Sequence, residues 1–147
     1  HMNTNNNRVN TAWSKSNALY AKAASLIGIN YTDMMVLYAL KTEGELTQKQ
    51  ISENFGMQKQ TVNTVVKRFI NQGYLKLSAS QTDKREKILM FTDCGKIFAD
   101  NIIDPIIKIE NKVYGILGEE KVKLLYETLD LFNLLFEREL NGGFIHE

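Results

Sequence analysis

The spacing of apolar residues changes abruptly at Gly73. Before it, Val62, Val65, Val66, Phe69 and Ile70 recur at helical intervals, which makes one face of a helix apolar. After it, Tyr74–Leu77 and Lys87–Thr92 read as two short strands, with a polar loop from Ser78 to Glu86 between them. Glycine enters the left-handed conformation freely, so Gly73 is a natural stop for the helix. A second helix is predicted just upstream. Thr47 is followed three residues later by Gln50, the pattern of a capping box, and Leu46 and Ile51 stand where a hydrophobic staple would place them. That helix ends around Phe55-Gly56 and the next begins near Gln58. Two helices joined by a short turn containing glycine predict a helix-turn-helix, and the hairpin after them makes it a winged one.

The rest of the chain reads as helix. Arg8–Ile27 has no breakers and ends at Gly28; Thr32 is the expected cap of a helix that stops near Gly44. Thr92-Asp93 is expected to cap a long helix in which Pro105 predicts a kink. A last helix is predicted over Glu119–Leu140, with Val122, Leu125, Leu129, Phe132 and Phe136 in one stripe widened by Leu124, Leu131 and Leu135. That is more apolar surface than one packing partner requires. The fold class is therefore mainly α with a small two-stranded β wing (α+β), the winged module being flanked by N- and C-terminal helices. His1-Met2 reads as a cloning remnant, and Asn3–Asn7 as a disordered polar tail. Residues 8–147 are expected to form one domain, with the winged module over about 32–93 and the flanking helices over about 8–27 and 94–140.

Charge separates the same segment from its surroundings. Residues 46–92 hold eight basic and three acidic side chains, a net of +5, which leaves −4 for the rest of a chain whose total is +1. A basic middle between acidic ends suits contact with a polyanion on one surface. The polar face of the second motif helix carries amides, hydroxyls and cations but no acid, the groups that bond base edges and phosphates. The plainer alternative is an ordinary solvated face.

The run LTQKQISENFGMQKQTVNTVVKRFINQGYLKLSASQTDKREKILMFTDCGK resembles the MarR family of bacterial winged-helix transcriptional regulators. LTQKQIS, QTVNTVVKRFINQGYL, DKREK and FTDCGK carry the likeness together, and the layout follows the family from the first helix to the C-terminal pair. The resemblance implies a cytoplasmic homodimer that binds double-stranded DNA at a pseudo-palindromic operator, more often as a repressor than an activator. Half-sites then lie roughly 10 bp apart. It places Arg85 in the minor groove with Asp83 holding it, and Lys84 and Lys87 beside them on the wing; Asp83 also reads as a turn former. Lys59, Gln60, Asn63 and Thr64 are the base-edge candidates and Thr61 serves base or phosphate; Lys67 and Arg68, a turn or more deeper, are phosphate-contact candidates, the alternative being that they touch nothing. Backbone amides of Thr47 and Gln48 are expected to face the DNA backbone. Gln58 departs from the serine or threonine cap usual in the family.

The same resemblance implies a dimer interface including Trp13, Leu19, Phe132, Leu135 and Phe136, the alternative being an intrasubunit core. Many members are released from DNA by small aromatic or phenolic compounds. Here the expected walls are Trp13, Tyr20, Tyr31, Met34, Met35 and Tyr38, again with core packing as the alternative.

Other classes find little support. No apolar stretch nears the roughly 18–20 residues of a membrane span, and the N-terminus lacks the regions of a secretory signal. Both histidines, His1 and His146, lie at the chain ends, so no metal and no histidine-based catalysis is expected. No phosphate-binding glycine loop or zinc spacing is present, and no cofactor or enzymatic activity is predicted. The sole cysteine, Cys94, excludes an internal disulfide and is not in the first helix, where some family members sense oxidants. The rival function is a winged-helix dimer that binds proteins and not DNA.

Overall fold

A computed structural model describes residues 4–144. The expectations at His1-Met2, Asn3 and His146 lie outside the described residues. The elements in chain order are α1 (Thr4–Ile27), α2 (Tyr31–Glu43), α3 (Gln48–Phe55), α4 (Lys59–Asn71), β1 (Leu75–Ala79), β2 (Lys87–Phe91), α5 (Asp93–Leu117), α6 (Glu119–Glu139) and a π-helical turn, Leu140–Phe144. They divide into two compact units, residues 1–106 and 107–147.

In the first unit α2 is the central element: α1, α3, α4 and β2 all pack on it. Met34, Val36 and Leu37 of α2 are fully buried with Ile51 of α3, Val62 and Val66 of α4, and Leu89 of β2. The first half of α5 joins this core through Ala99, Ile103 and Ile106. The hairpin is antiparallel, with Leu75 opposite Phe91 and Ala79 opposite Lys87. Leu46 adds a bridge to its edge, where the Leu89 N–H donates to the Leu46 carbonyl at 2.8 Å. The staple residue thus also tethers the wing.

The ends of the elements follow local chemistry, with three departures from expectation. α1 starts at Thr4, so asparagines 5–7 are its first turn and not a disordered tail; Asn10 Nδ2 donates back to the Asn6 carbonyl. Asn30, not Thr32, caps α2: its side-chain oxygen accepts from the Asp33 N–H at 2.8 Å, and the Thr32 hydroxyl donates to that same oxygen. β1 begins at Leu75 because the Tyr74 N–H is spent on the Phe69 carbonyl, closing α4 across Gly73 (φ +80°). The boundary between the two compact units falls beside Pro105, inside an α5 that continues through it. Proline cannot donate the intrahelical bond to the carbonyl four residues back, so α5 lacks one rung there.

The second unit contains the end of α5, α6 and the π-helical turn. No residue of α6 is buried. Leu124, Leu131, Leu134 and Phe136 are each more than half exposed. Apolar surface on this scale marks an interaction site in a folded protein.

Candidate nucleic-acid interface

α3, α4 and the hairpin hold the basic segment on the first unit. α3 starts at the predicted capping box: Thr47 Oγ1 accepts from the Gln50 N–H at 3.1 Å, and Gln50 Oε1 accepts from the Thr47 N–H at 2.9 Å. Gly56 (φ +61°) closes α3 and turns the chain into α4. Gln58 sits at the N-cap of α4 without a side-chain bond, which places Lys59 as the first helical residue. Val62, Val65, Val66 and Phe69 bury the inner face of α4. The opposite face is therefore set. Lys59, Gln60, Thr64 and Lys67 are exposed, while Thr61 and Asn63 are half-buried. The Thr64 hydroxyl donates to the Gln60 carbonyl at 2.9 Å, so its donor is satisfied within the helix and its lone pairs and methyl remain for contact.

The wing is ordered by its own polar groups. Ser80, buried at the base of the loop, accepts through Oγ from the N–H groups of Thr82 and Asp83. Asp83 Oδ1 accepts from the Arg85 N–H at 3.0 Å and from Arg85 Nε at 3.4 Å. The Arg85 side chain is 93% exposed, and the bond to Asp83 uses only Nε of its guanidinium. Lys84 and Lys87 are exposed beside it.

Three candidates are placed otherwise than expected. Arg68 turns inward: Nη1 and Nη2 bond the two carboxylate oxygens of Asp33 at 2.5 and 2.9 Å. Asp33 is buried, and its hydrogen bond to Arg68 raises the guanidinium above its already high value. Arg68 thus ties α4 to α2, its guanidinium engaged by Asp33. The Thr47 N–H is occupied by Gln50, so of the two expected backbone donors only Gln48 stays in the set; its N–H belongs to the first turn and has no helical acceptor. Met34 is fully buried among core residues and packs there, not in the wall of a ligand site. No sequence spacing pointed to Asp33, which lies 35 residues before its partner.

The other effector candidates, Trp13, Tyr20, Tyr31, Met35 and Tyr38, are half-buried on α1 and α2, and Tyr38 meets Phe55 edge-on at 6.5 Å. Phe132, Leu135 and Phe136 are exposed on α6, and Phe132 stacks against Phe136 at 5.5 Å. Among the described residues, no group of three histidine, cysteine or acidic side chains is placed to hold a metal ion. No single helix there is long and apolar enough to cross a membrane.

Residues 27–86, which include α2, α3, α4 and β1, match the model of the MarR family. The chain is 28% identical over 105 residues to the HTH-type transcriptional regulator YwoH of Bacillus subtilis, covering 71% of this chain and 76% of that one. A MarR family regulator from Neisseria meningitidis has a similar structure, with a TM-score of 0.84, 28% identity and coverage of 95% and 98% of the two chains. BpsR of Bordetella bronchiseptica, whose DNA binding is regulated by 6-hydroxynicotinic acid, shares the fold at a TM-score of 0.64 and 16% identity, over 87% and 91% of the chains.

Proposed function

For a chain that belongs to the MarR family of winged-helix, DNA-binding transcriptional regulators, we propose the role of a homodimeric repressor reading a pseudo-palindromic operator. The observation that carries it is the pairing of an exposed, acid-free face on α4 with an exposed Arg85 on the adjoining wing. The buried face of α4 fixes which residues point outward. Gln60, Asn63 and Thr64 share the outer face and read base edges; Lys59 and Lys67 neutralise phosphates; Thr61 lies at the margin. Arg85 enters the adjacent minor groove, steered by Asp83, with Lys84 and Lys87 on the flanking backbone. Gln48 offers a backbone amide to a phosphate.

Two copies supply two reading heads. The exposed apolar residues of α6, Phe132, Leu135 and Phe136, are the dimer contacts, joined by Trp13 and Leu19 of α1. A small aromatic compound, of the class that acts on BpsR, is the proposed effector. Trp13, Tyr20, Tyr31, Met35 and Tyr38 supply its contacts. To release DNA it must bind more tightly to a dimer geometry that mismatches the operator, because equal binding to both geometries shifts nothing.

The test is selection of bound duplexes from a random pool, with Arg85→Ala beside the parent protein. The expected product is a pseudo-palindrome with half-sites roughly 10 bp apart, recovered far less well by the variant. A folded protein that enriches no sequence at low salt would overturn the operator reading. A partner protein bound independently of salt and of Arg85 would then favour the interaction-module role.

A further inference from the structure

Gln60, Asn63, Thr64 and Lys67 are spaced i, i+3, i+4 and i+7, so they stand in one stripe on the outer face of α4. What that stripe can read depends on the donors and acceptors it still offers. The Thr64 hydroxyl has spent its proton on the Gln60 carbonyl, at 2.9 Å. It keeps a methyl group and lone pairs. The major-groove edge of guanine presents only the acceptors N7 and O6, so Thr64 has no donor for it. Thymine presents a C5 methyl, an apolar partner for the Thr64 methyl. Gln60 and Asn63 end in amides, each with a donor beside an acceptor. That pair matches adenine, where the N7 acceptor lies beside the N6 amino donor, and mismatches the two acceptors of guanine.

Guanine is most often read by arginine or lysine. α4 has three cations, Lys59, Lys67 and Arg68. Both terminal nitrogens of Arg68 bond Asp33, at 2.5 and 2.9 Å. Lys67 lies two turns beyond Lys59, away from the N-terminal residues with which a recognition helix meets the bases. Lys59 opens the helix and lies about 100° around its axis from Gln60, on the flank of the stripe. The centre of the stripe is therefore left to two amides and one methyl.

We infer that α4 reads a block of A·T pairs, in which Thr64 packs on a thymine methyl and Gln60 and Asn63 bond adenines. The inference rests on the proposed base reading by α4 and adds which bases it accepts. Gln60 and Thr64 are separated by about 6 Å along the helix axis, so the block spans about three pairs. A G·C pair inside it sets acceptors against the amide oxygens and removes the methyl.

The experiment measures binding of the full chain to the operator recovered by selection, in duplexes altered one atom group at a time. Each thymine of a half-site is replaced in turn by deoxyuridine, which lacks only the methyl. One position should weaken the parent about fourfold, the effect of one buried methyl group. Thr64→Ser keeps the hydroxyl and drops the methyl, and should show no penalty at that position. Thr64→Val keeps a methyl and should retain it. Circular dichroism checks both folds, and either variant alone decides the point. Replacing an adenine of the block by 7-deazaadenine should weaken the parent and leave Gln60→Ala or Asn63→Ala little changed. A G·C pair in the block should cost the parent about tenfold or more. Deoxyuridine that costs nothing at every position, or costs Thr64→Ser as much as the parent, would overturn the A·T inference while leaving the operator reading standing. A folded parent protein that enriches no sequence would instead overturn the operator reading on which it rests.

Discussion

Arg85 and Arg68 show how one residue type takes opposite roles seventeen positions apart. Arg85 stands 93% exposed, so removing it takes little from the fold and much from an encounter with DNA. Arg85→Ala should leave the melting temperature within about 1 °C and weaken operator binding about tenfold or more. Comparable losses for specific and random duplexes would assign Arg85 to the backbone and not to groove shape. Arg68 is the reverse case. Its guanidinium faces a carboxylate that is 8% exposed, and Arg68→Ala leaves that charge buried and uncompensated. Because Arg68 itself is 40% exposed, the expected loss is about 2 kcal/mol and not the full cost of a buried pair. Chemical denaturation of Arg68→Ala, Asp33→Asn and the double variant would measure it. Additive losses would show that the pair is not coupled.

At the scale of elements, two contacts tie α5 to the winged module. Thr92 caps α5 by accepting from the Gly95 N–H at 3.0 Å, and its hydroxyl donates to the Gly73 carbonyl at 2.5 Å. Gly95 then lies against the backbone of Tyr74: a Cβ there would stand 1.8 Å from the Tyr74 carbonyl oxygen. Gly95→Ala must push α5 off the hairpin, and the Tyr74–Phe98 stack at 4.0 Å would open with it. A loss of about 3 kcal/mol or more is expected in denaturant melts. An alanine tolerated without loss would show that the two elements are not closely packed. The second contact is the Lys41 ammonium of α2, held by Asp100 and Asp104 of α5. The hydrogen bond to Asp100 raises Lys41 above the ordinary lysine value of 10.5. A raised lysine stabilises the fold fully below its unfolded value and loses that contribution as pH climbs through the folded one. The stability gap between the parent and Lys41→Met should therefore be level up to about pH 10 and close above 10.5. A gap that instead closes only on the acid side would assign the effect to the carboxylates.

At the scale of the molecule, the exposed leucines and phenylalanines of α6 leave the second unit without a core of its own among the described residues. Association should supply what the monomer lacks, which links stability to concentration. The melting temperature should rise by several degrees over about a hundredfold increase in protein, and Phe132→Asp with Phe136→Asp should abolish the rise. A concentration-independent melt would argue that α6 is covered within one chain.

Local chemistry alone determined the order and kind of the elements. The capping box at Thr47, the glycine stops at Gly56 and Gly73, and the helical spacing of three valines and a phenylalanine in α4 each act within a few turns or one strand. They also determined which face of α4 points outward, because burying one side of a helix orients the other. Only the tertiary structure decided which of the candidate side chains are already engaged elsewhere. Arg68 is claimed by an aspartate 35 residues away, and Met34 is claimed by the core. Pairing across such separations depends on how helices pack, and no spacing in the chain encodes it. The amide of Thr47 was lost to Gln50 for a nearer reason: the bond that makes the capping box is the bond that occupies the donor.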